Sequence, residues 1–202
     1  FNAMLGALES ARRAQDQLVA DASHELRTPL TSLRTNIEVL GSGTEMGEDD
    51  RRALIADVVT QLEEFGRLVT ALVELARGDQ PMQRRQAVRL DEVVEEAGTR
   101  ARARHRDLDL RLDLAPSTVD GDADRIERAV SNLIDNAAKY GGDGPVEVAL
   151  SGGVLTVRDQ GPGIAAEDLP HVFERFYRSS EARSRPGSGL GLAIVRTAAI
   201  RH

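Results

Sequence analysis

The sequence predicts two domains of different class: a helical hairpin that pairs with a second copy as a dimeric four-helix bundle, and an α/β sandwich after it. Before residue 78, apolar residues recur at alternating spacings of three and four, which indicates long amphipathic helices. After residue 87, stretches of period two alternate with helical periods, which indicates strands mixed with helices. With 202 residues, 41% of them hydrophobic, the chain is long enough to build two cores.

The composition excludes several classes of protein. The formal net charge of −7 disfavours a broad nucleic-acid interface. The absence of cysteine excludes disulfides and thiolate chemistry, and the four scattered histidines have no cysteine companions for a structural metal site. No apolar run reaches the ~20 residues that span a bilayer, and no signal-peptide pattern is present. We therefore expect this part of the protein to be soluble.

Residues 1–5 already follow the pattern of the first predicted helix, which suggests that they belong to a larger protein that continues upstream. Its apolar seam consists of Leu26, Leu30, Leu33, Ile37 and Leu40. The glycine-rich residues 41–47 then predict a turn, and the acidic residues 48–50 suit the positive end of a following helix. The simplest interpretation is a helical hairpin.

The second predicted helix has a longer apolar seam. It consists of Ile55, Val58, Leu62, Phe65, Val69, Leu72 and Ala76. Burying one large aliphatic side chain contributes about 1.5–3 kcal/mol, so the two seams represent a large driving force. Two helices cannot enclose both seams, and we therefore predict that two copies share one four-helix core. A monomeric hairpin packed on the rest of the chain is the alternative.

One turn of the first helix carries a histidine, a carboxylate and a hydroxyl beside a proline. At about 100° per residue, His24 and Thr28 lie about 40° apart, whereas the nearby seam leucines lie about 200–240° away. We therefore expect His24 and Thr28 to face outward together. Pro29 cannot donate a hydrogen bond to the carbonyl of Glu25, so we expect the helix to bend beneath the histidine.

The second domain alternates strands and helices. Its predicted elements are a strand at 88–90, a helix from 91, a strand over 108–114, a helix from 122 to 140, and a β-hairpin over 146–159 with two glycines at its turn. The strands have one apolar face, and the helix that ends at Tyr140 has one apolar side. Together these elements predict an α/β sandwich.

The polar side of the helix that ends at Tyr140 groups side chains that suit a phosphate ligand. Asn132, Asn136, Lys139 and Tyr140 follow one another at spacings of four, three and one, which keeps them close on a helix. Amide oxygens can ligate Mg²⁺ together with waters and substrate phosphates, and a lysine can bind a phosphate oxygen. The alternative is an ordinary solvated helix face.

A carboxylate at a strand end supports the ligand-binding interpretation. Asp159 follows the second strand of the predicted hairpin, and Gly161 and Gly163 come directly after it. Glycines allow a planar ligand to approach the backbone closely, and Asp159 could accept a hydrogen bond from an exocyclic amine.

A second glycine-rich stretch opens the last predicted helix. Residues 187–192 contain three glycines around Leu190, and backbone amides at a helix start can bind phosphate. Such a loop alone is a weak signal. The segment before it, 173–186, has the composition of a lid, from which Arg178 could reach phosphate.

Together, these motifs resemble those of the two-component sensor histidine kinases, and the resemblance covers nearly the whole chain. Five motifs of that family match in order. They are the H box at 23–30, the N box at 132–140, the G1 box at 159–163, the F box at 173–178 and the G2 box at 187–192. The sequences of the lid and the G2 box are similar to those of actinobacterial members.

The resemblance implies a domain plan and a fold. Its four segments would be the end of a HAMP linker at 1–14, a dimerisation and histidine-phosphotransfer domain at 15–78, a linker at 79–87 and an ATP-binding domain at 88–202. The last domain would be a Bergerat (GHKL) ATPase sandwich that lacks its final strands, because the family continues beyond the point where this sequence stops. The parent protein would lie in the bacterial cell membrane with this part facing the cytoplasm.

The resemblance also implies a role for each motif. His24 would accept the γ-phosphate of ATP, Glu25 would orient its imidazole, and Thr28 would position a water for the reverse, phosphatase activity. ATP and Mg²⁺ would bind at Asn132, Asn136, Lys139, Tyr140, Asp159, Gly161, Gly163, Arg178, Gly187, Gly189, Leu190 and Gly191, with the metal on Asn132 and Asn136. The phosphoryl group would pass to an aspartate of a response regulator.

Three alternatives remain open at this point. The first is a kinase-inactive, ATP-binding dimeric signalling scaffold. The second is a serine kinase of the same ATP fold that regulates a sigma factor, and the third is a chaperone or topoisomerase ATPase. The last two classes lack an H box on a helical hairpin, which disfavours them.

Overall fold

The computed structural model describes residues 2–42, 46–78, 85–180, 182 and 187–202. They divide into two compact units, one with the two long helices and the other with Gly78–Ala182 and Gly189–His202. The elements are α1 (Asn2–Gly41), α2 (Glu48–Gly78), β1 (Gln86–Arg89), α3 (Leu90–Arg104), β2 (Leu110–Leu114), β3 (Thr118–Gly121), α4 (Ala123–Tyr140), β4 (Val146–Ser151), β5 (Val154–Arg158) and α5 (Gly191–Arg201). The predicted order of elements is confirmed, and β3 is the one that the sequence did not predict.

The first unit is the predicted helical hairpin. Helix α1 runs for 40 residues and continues through Pro29, so the bend expected there stays a prediction. Leu33 of the predicted seam is buried, and so is Leu68, which the predicted seam did not include because it placed Val69 there; other predicted seam residues remain exposed. These are Leu30 at 58%, Ile37 at 55%, Ile55 at 43%, Leu62 at 53% and Val69 at 39%. One hairpin therefore leaves much of its apolar seam uncovered.

The second unit is the predicted α/β sandwich. Its main sheet has the order β2-β4-β5, with β2 parallel and β5 antiparallel to the central strand, and β1 pairs with β3 in a separate antiparallel ribbon. Along β4 every second side chain is buried, because α3 and α4 cover that face of the sheet. Helix α5 packs on α4. The residues directly after β5 and directly before α5 therefore adjoin two elements that both contact α4.

The ends of α4 are fixed by local hydrogen bonds. The Asp122 side chain accepts hydrogen bonds from the backbone of Asp124 and Arg125, which satisfies two amides of the first turn. At the other end, the Gly141 amide donates to the carbonyl of Ala137. These caps set where the polar face of α4 begins and ends.

The Asp91 carboxylate at the start of α3 forms an ion pair with Arg89 at the end of β1 and accepts a hydrogen bond from the segment before β3. The Asp91 carboxylate accepts hydrogen bonds from the Arg89 guanidinium, 3.0 Å to Nε, and from the Ser117 amide at 3.2 Å. The hydrogen bond from Arg89, supported by the one from Ser117, holds the pKa of the Asp91 carboxyl well below its ordinary value of 3.8. The folded state thus favours the ionised carboxylate, and its stabilisation is complete above pH 3.8 and is lost as the pH falls below that value.

We expect Asp91→Asn to lower the urea midpoint at pH 7 and to make the midpoint less sensitive to acid. The variant loses the charge-assisted pair with Arg89, so the difference between its urea midpoint and that of the wild type should shrink as the pH falls below 3.8. Urea unfolding followed by circular dichroism between pH 7 and pH 2.5 measures both effects. Asp113→Asn, at an exposed position of β2, is the control and should track the wild type.

Candidate nucleotide and phosphoacceptor sites

The predicted polar face of α4 is present. Asn132 and Asn136 are half-buried and Lys139 is exposed, while Val130 and Ile134 on the opposite side are buried in the core. This burial pattern arises because one side of α4 packs against α3 and the sheet. The amide groups are therefore held on a rigid helix rather than on a loop.

Asn132 lies directly against the start of α5. Its amide nitrogen donates to the carbonyl of Arg128 at 2.8 Å, which fixes the side-chain rotamer. A Cβ at Gly191 would lie 2.8 Å from the Asn132 side-chain oxygen, so only glycine fits there without displacing it. The N box and the end of the G2 box are thus in contact through one amide.

The end of α4 also touches the G1 loop. A Cβ at Gly161 would overlap the carbonyl oxygen of Tyr140, and one at Gly141 would come within 2.7 Å of the Asp159 Cβ. The Asp159 carboxylate accepts a hydrogen bond from the Gly161 amide at 2.9 Å, which orients the side chain on an exposed loop. Two glycines therefore allow α4 and the loop that contains Asp159 to meet.

Gly141 and Gly144 contribute to this junction, and sequence reasoning missed both. A Cβ at Gly144 would lie 2.7 Å from the side-chain oxygen of Gln160. The available signal was the cluster of three glycines within residues 141–144, directly after the predicted end of α4. Such a cluster predicts a turn, but it does not reveal which loop packs against it.

The F box meets the G2 box through backbone contacts. The Phe176 amide donates to the carbonyl of Gly189 at 3.0 Å. Arg178, predicted to reach phosphate, donates from Nη2 to the carbonyl of Ala182. Gly187 lies at the exposed start of the loop, whereas Leu190 is fully buried. The N box, the G1 box, the F box and residues 189–192 of the G2 box are thus adjacent in the second unit.

The donor set fits Mg²⁺ held jointly with a nucleotide better than a protein-only metal site. Across the described residues, no group of three or more His, Cys, Asp or Glu side chains could hold a metal ion. Mg²⁺ is commonly bound by one or two protein oxygens, with waters and substrate phosphates as the other ligands. The amide oxygens of Asn132 and Asn136 are of the required hard type.

The predicted phosphoacceptor lies in the other unit. His24, Glu25 and Thr28 are all exposed on α1. Within the described chain, His24 has no hydrogen-bond partner, and no bond joins it to Glu25, because adjacent residues on a helix point about 100° apart.

The other three histidines are engaged by neighbours. His105 lies 3.4 Å from the Asp135 carboxylate, and His171 lies 2.9 Å from that of Glu174. His202 accepts from the Asp122 amide through Nε2 and bonds the carbonyl of Ala198 through Nδ1. Among the described residues, His24 is therefore the histidine with no hydrogen bond or ion pair on either ring nitrogen, and it is exposed.

Comparison with known protein families divides the chain along the same lines. Residues 14–81 match the His Kinase A (phospho-acceptor) domain. Residues 121–202 match the histidine kinase-, DNA gyrase B- and HSP90-like ATPase domain. The two helices and most of the sandwich thus each match a domain of known type, and His24 lies within the first of them.

Solved structures decide the family. The mycobacterial sensor histidine kinase MprB is 39% identical to this chain, with a TM-score of 0.54 over 59% of this chain and 80% of the other. The chain belongs to the sensor histidine kinases. A second member, the Acinetobacter baumannii histidine kinase AdeS, is 30% identical to this chain, with a TM-score of 0.69. The match covers 88% of this chain and 86% of the AdeS chain.

Longer histidine kinases match over the whole of this chain. The signal transduction histidine-protein kinase/phosphatase MprB of Mycolicibacterium vanbaalenii is 45% identical, and that of Mycolicibacterium smegmatis is 46% identical. The chain spans 44% and 43% of their lengths, respectively. The predicted resemblance to actinobacterial members is confirmed. Among the described residues, no helix combines the length and the apolar character that a membrane crossing needs.

Proposed function

We propose that this histidine kinase chain is an autokinase that transfers the γ-phosphoryl group of ATP to His24. The observation that carries the proposal is the exposed imidazole of His24 on α1, which has no hydrogen-bond partner among the described residues. The second unit of the same chain brings together the N, G1 and F boxes and residues 189–192 of the G2 box. A histidine near neutral pH offers an unprotonated ring nitrogen, and phosphoryl transfer needs mainly positioning and charge neutralisation.

In the proposed step, an unprotonated ring nitrogen of His24 attacks the γ-phosphorus. The bond from that phosphorus to the β,γ-bridging oxygen breaks, ADP leaves with the bonding electrons, and the other ring N–H retains or releases its proton. Glu25 is the nearest carboxylate in sequence and would stabilise the charged imidazole once the side chains rotate towards each other. The exposure of both residues leaves room for that rotation.

The nucleotide would bind along the junction of α4, the G1 loop and the start of α5. Asp159, oriented by the Gly161 amide, would accept a hydrogen bond from the adenine amine, and Tyr140 would pack near the base. Lys139 and Arg178 would bind phosphate oxygens. When bound at Asn136 and Asn132, Mg²⁺ would neutralise phosphate charge.

We further propose that the phosphoryl group passes from His24 to an aspartate of a response regulator and that the chain acts as a homodimer. The exposed apolar seam of α1 and α2 supports the dimer, because a second copy would cover it. From the resemblance to sensor kinases, we assign 15–78 to dimerisation and phosphotransfer, 88–202 to ATP binding, and the parent protein to the cell membrane with this part in the cytoplasm.

The proposed kinase is tested by incubating the chain with γ-labelled ATP and Mg²⁺. We expect phosphate that is labile in acid and stable in base, mapped to His24 by mass spectrometry. Nucleotide binding without such phosphate would instead favour the kinase-inactive signalling scaffold.

A phosphatase role is proposed for Thr28, since relatives bear the name kinase/phosphatase and Thr28 lies one turn from His24. Thr28→Ala should keep His24 labelling within about twofold, because the hydroxyl does not take part in the attack. It should slow dephosphorylation of the regulator by roughly 10²-fold, as expected when a water-positioning group is lost. Release of phosphate from the phosphorylated regulator measures this, and a Thr28→Ser variant, which retains the hydroxyl, should recover most of the rate.

A further inference from the structure

The backbone of the F box is strained where it meets the G2 loop, which we define as residues 189–191. Phe176 has a φ of 63°, a left-handed conformation that bulky side chains rarely adopt. Such a conformation persists only where the surroundings hold it. The holding contact is the hydrogen bond from the Phe176 amide to the carbonyl of Gly189.

Gly189 fits this contact from the other side. Its φ is 69°, and a Cβ there would lie 2.7 Å from the carbonyl carbon of Phe176 and 2.8 Å from the carbonyl oxygen of Tyr177. The two backbones are therefore in direct contact over Phe176 and Tyr177. Two residues after Gly189, α5 begins, so the F box backbone determines where the G2 loop enters the helix.

Tyr177 connects this contact to a third segment. Its hydroxyl donates to the Asp168 carboxylate, and both side chains are half-buried. Asp168 is itself held in a turn by the bond from its amide to the carbonyl of Ala165 at 2.9 Å. The ring of His171 packs 5.3 Å from that of Tyr177, which limits the freedom of the phenol.

We propose that Asp168 and Tyr177 are positioning residues that fix the G2 loop in the arrangement that binds nucleotide phosphate, an inference that rests on the proposed ATP-binding function. Asp168 anchors the Tyr177 hydroxyl, and the Tyr177 and Phe176 backbones hold Gly189. A hydrogen bond to a carboxylate is stronger than one between neutral groups, so its loss should loosen the whole chain of contacts. Neither side chain needs to touch the nucleotide.

The first variant for the test is Tyr177→Phe, which removes the hydroxyl and keeps the ring. In the full chain without nucleotide, we expect the Phe176 amide to exchange with solvent about 3- to 10-fold faster, measured by hydrogen exchange and mass spectrometry. The Kd of a non-hydrolysable ATP analogue should rise by a similar factor. Unchanged exchange together with a Kd within about twofold of wild type would overturn the proposal.

A double-mutant cycle separates positioning from general damage. Asp168→Ala should reproduce the effects of Tyr177→Phe. Because both changes remove the same hydrogen bond, the double variant should show no faster exchange and no higher Kd than the more strongly affected single variant. Asp168→Asn keeps an acceptor oxygen and should recover most of the affinity. Additive losses in the double variant would contradict the inference.

Glu167→Gln is the matched control, since it neutralises an exposed carboxylate next to Asp168. It should leave both exchange and analogue binding unchanged. If the wild type failed to bind the analogue, the proposed ATP function would be wrong. The exchange measurement needs no nucleotide and would still decide whether Tyr177 and Asp168 position the G2 loop.

Discussion

Replacing His24 with glutamine should abolish labelling of the chain by γ-labelled ATP, a loss of ~10²-fold or more. Glutamine retains polarity and approximate size, but its amide nitrogen has no basic lone pair with which to attack phosphorus. Nucleotide affinity should stay within about twofold of wild type, because His24 lies in α1, whereas the N, G1 and F boxes and residues 189–192 lie in the other unit. Autoradiography for the label and calorimetry with a non-hydrolysable ATP analogue measure the two quantities separately.

His105→Gln offers a matched control, because it makes the same chemical change at another of the four histidines. His105 lies at the end of α3 beside Asp135, so its loss should cost some stability and leave labelling intact. Acid-labile label that persisted in His24→Gln would contradict the assignment. The label would then have to lie on another histidine, and mass spectrometry would distinguish His105 and His171, each contacted at one ring nitrogen, from His202, whose two ring nitrogens are both bonded.

Periodicity alone was sufficient to predict most of the architecture. The three-four spacing of the seams predicted α1 and α2, and the alternation of leucines with charged residues predicted β2. These signals are strong because burial on one face has to repeat with the geometry of the element. The spacing of Asn132, Asn136 and Lys139 likewise predicted a shared face of α4, since helix geometry is local.

Features that depend on contacts between distant segments could not be predicted in this way. Strand β3 has four residues and one inward-facing side chain, Val119, so it forms through its pairing with β1 rather than through its own pattern. The glycine at 191 matters because of Asn132, which is 59 positions earlier in the chain (191 − 132), and the left-handed Phe176 depends on Gly189. A motif of glycines reveals that close approach is needed, but not which partner approaches.

Gly161→Ala should reduce nucleotide affinity by about 10- to 10²-fold with little change in backbone strain. Gly161 is outside the left-handed region, so alanine can adopt its backbone conformation. The added methyl group would overlap the carbonyl oxygen of Tyr140. Either the G1 loop, residues 159–163, or the end of α4 then has to move away until the two atoms no longer overlap. Such a shift separates Asp159 from the face that holds Asn136, and losing a hydrogen bond to a charged group costs about 1.5–3 kcal/mol, or about 10- to 10²-fold in affinity.

Gly153→Ala distinguishes this effect from general destabilisation. Gly153 lies in the turn between β4 and β5 with a φ of 79° and open space around it, so alanine there strains the backbone by about 1–2 kcal/mol without a clash. We expect Gly153→Ala to lower the unfolding midpoint and to bind the ATP analogue like the wild type, whereas Gly161→Ala should lose binding in excess of any loss of stability. Wild-type affinity in Gly161→Ala would mean that the junction of Tyr140 with the G1 loop does not determine the position of Asp159, and the adenine role proposed for that carboxylate would then fail.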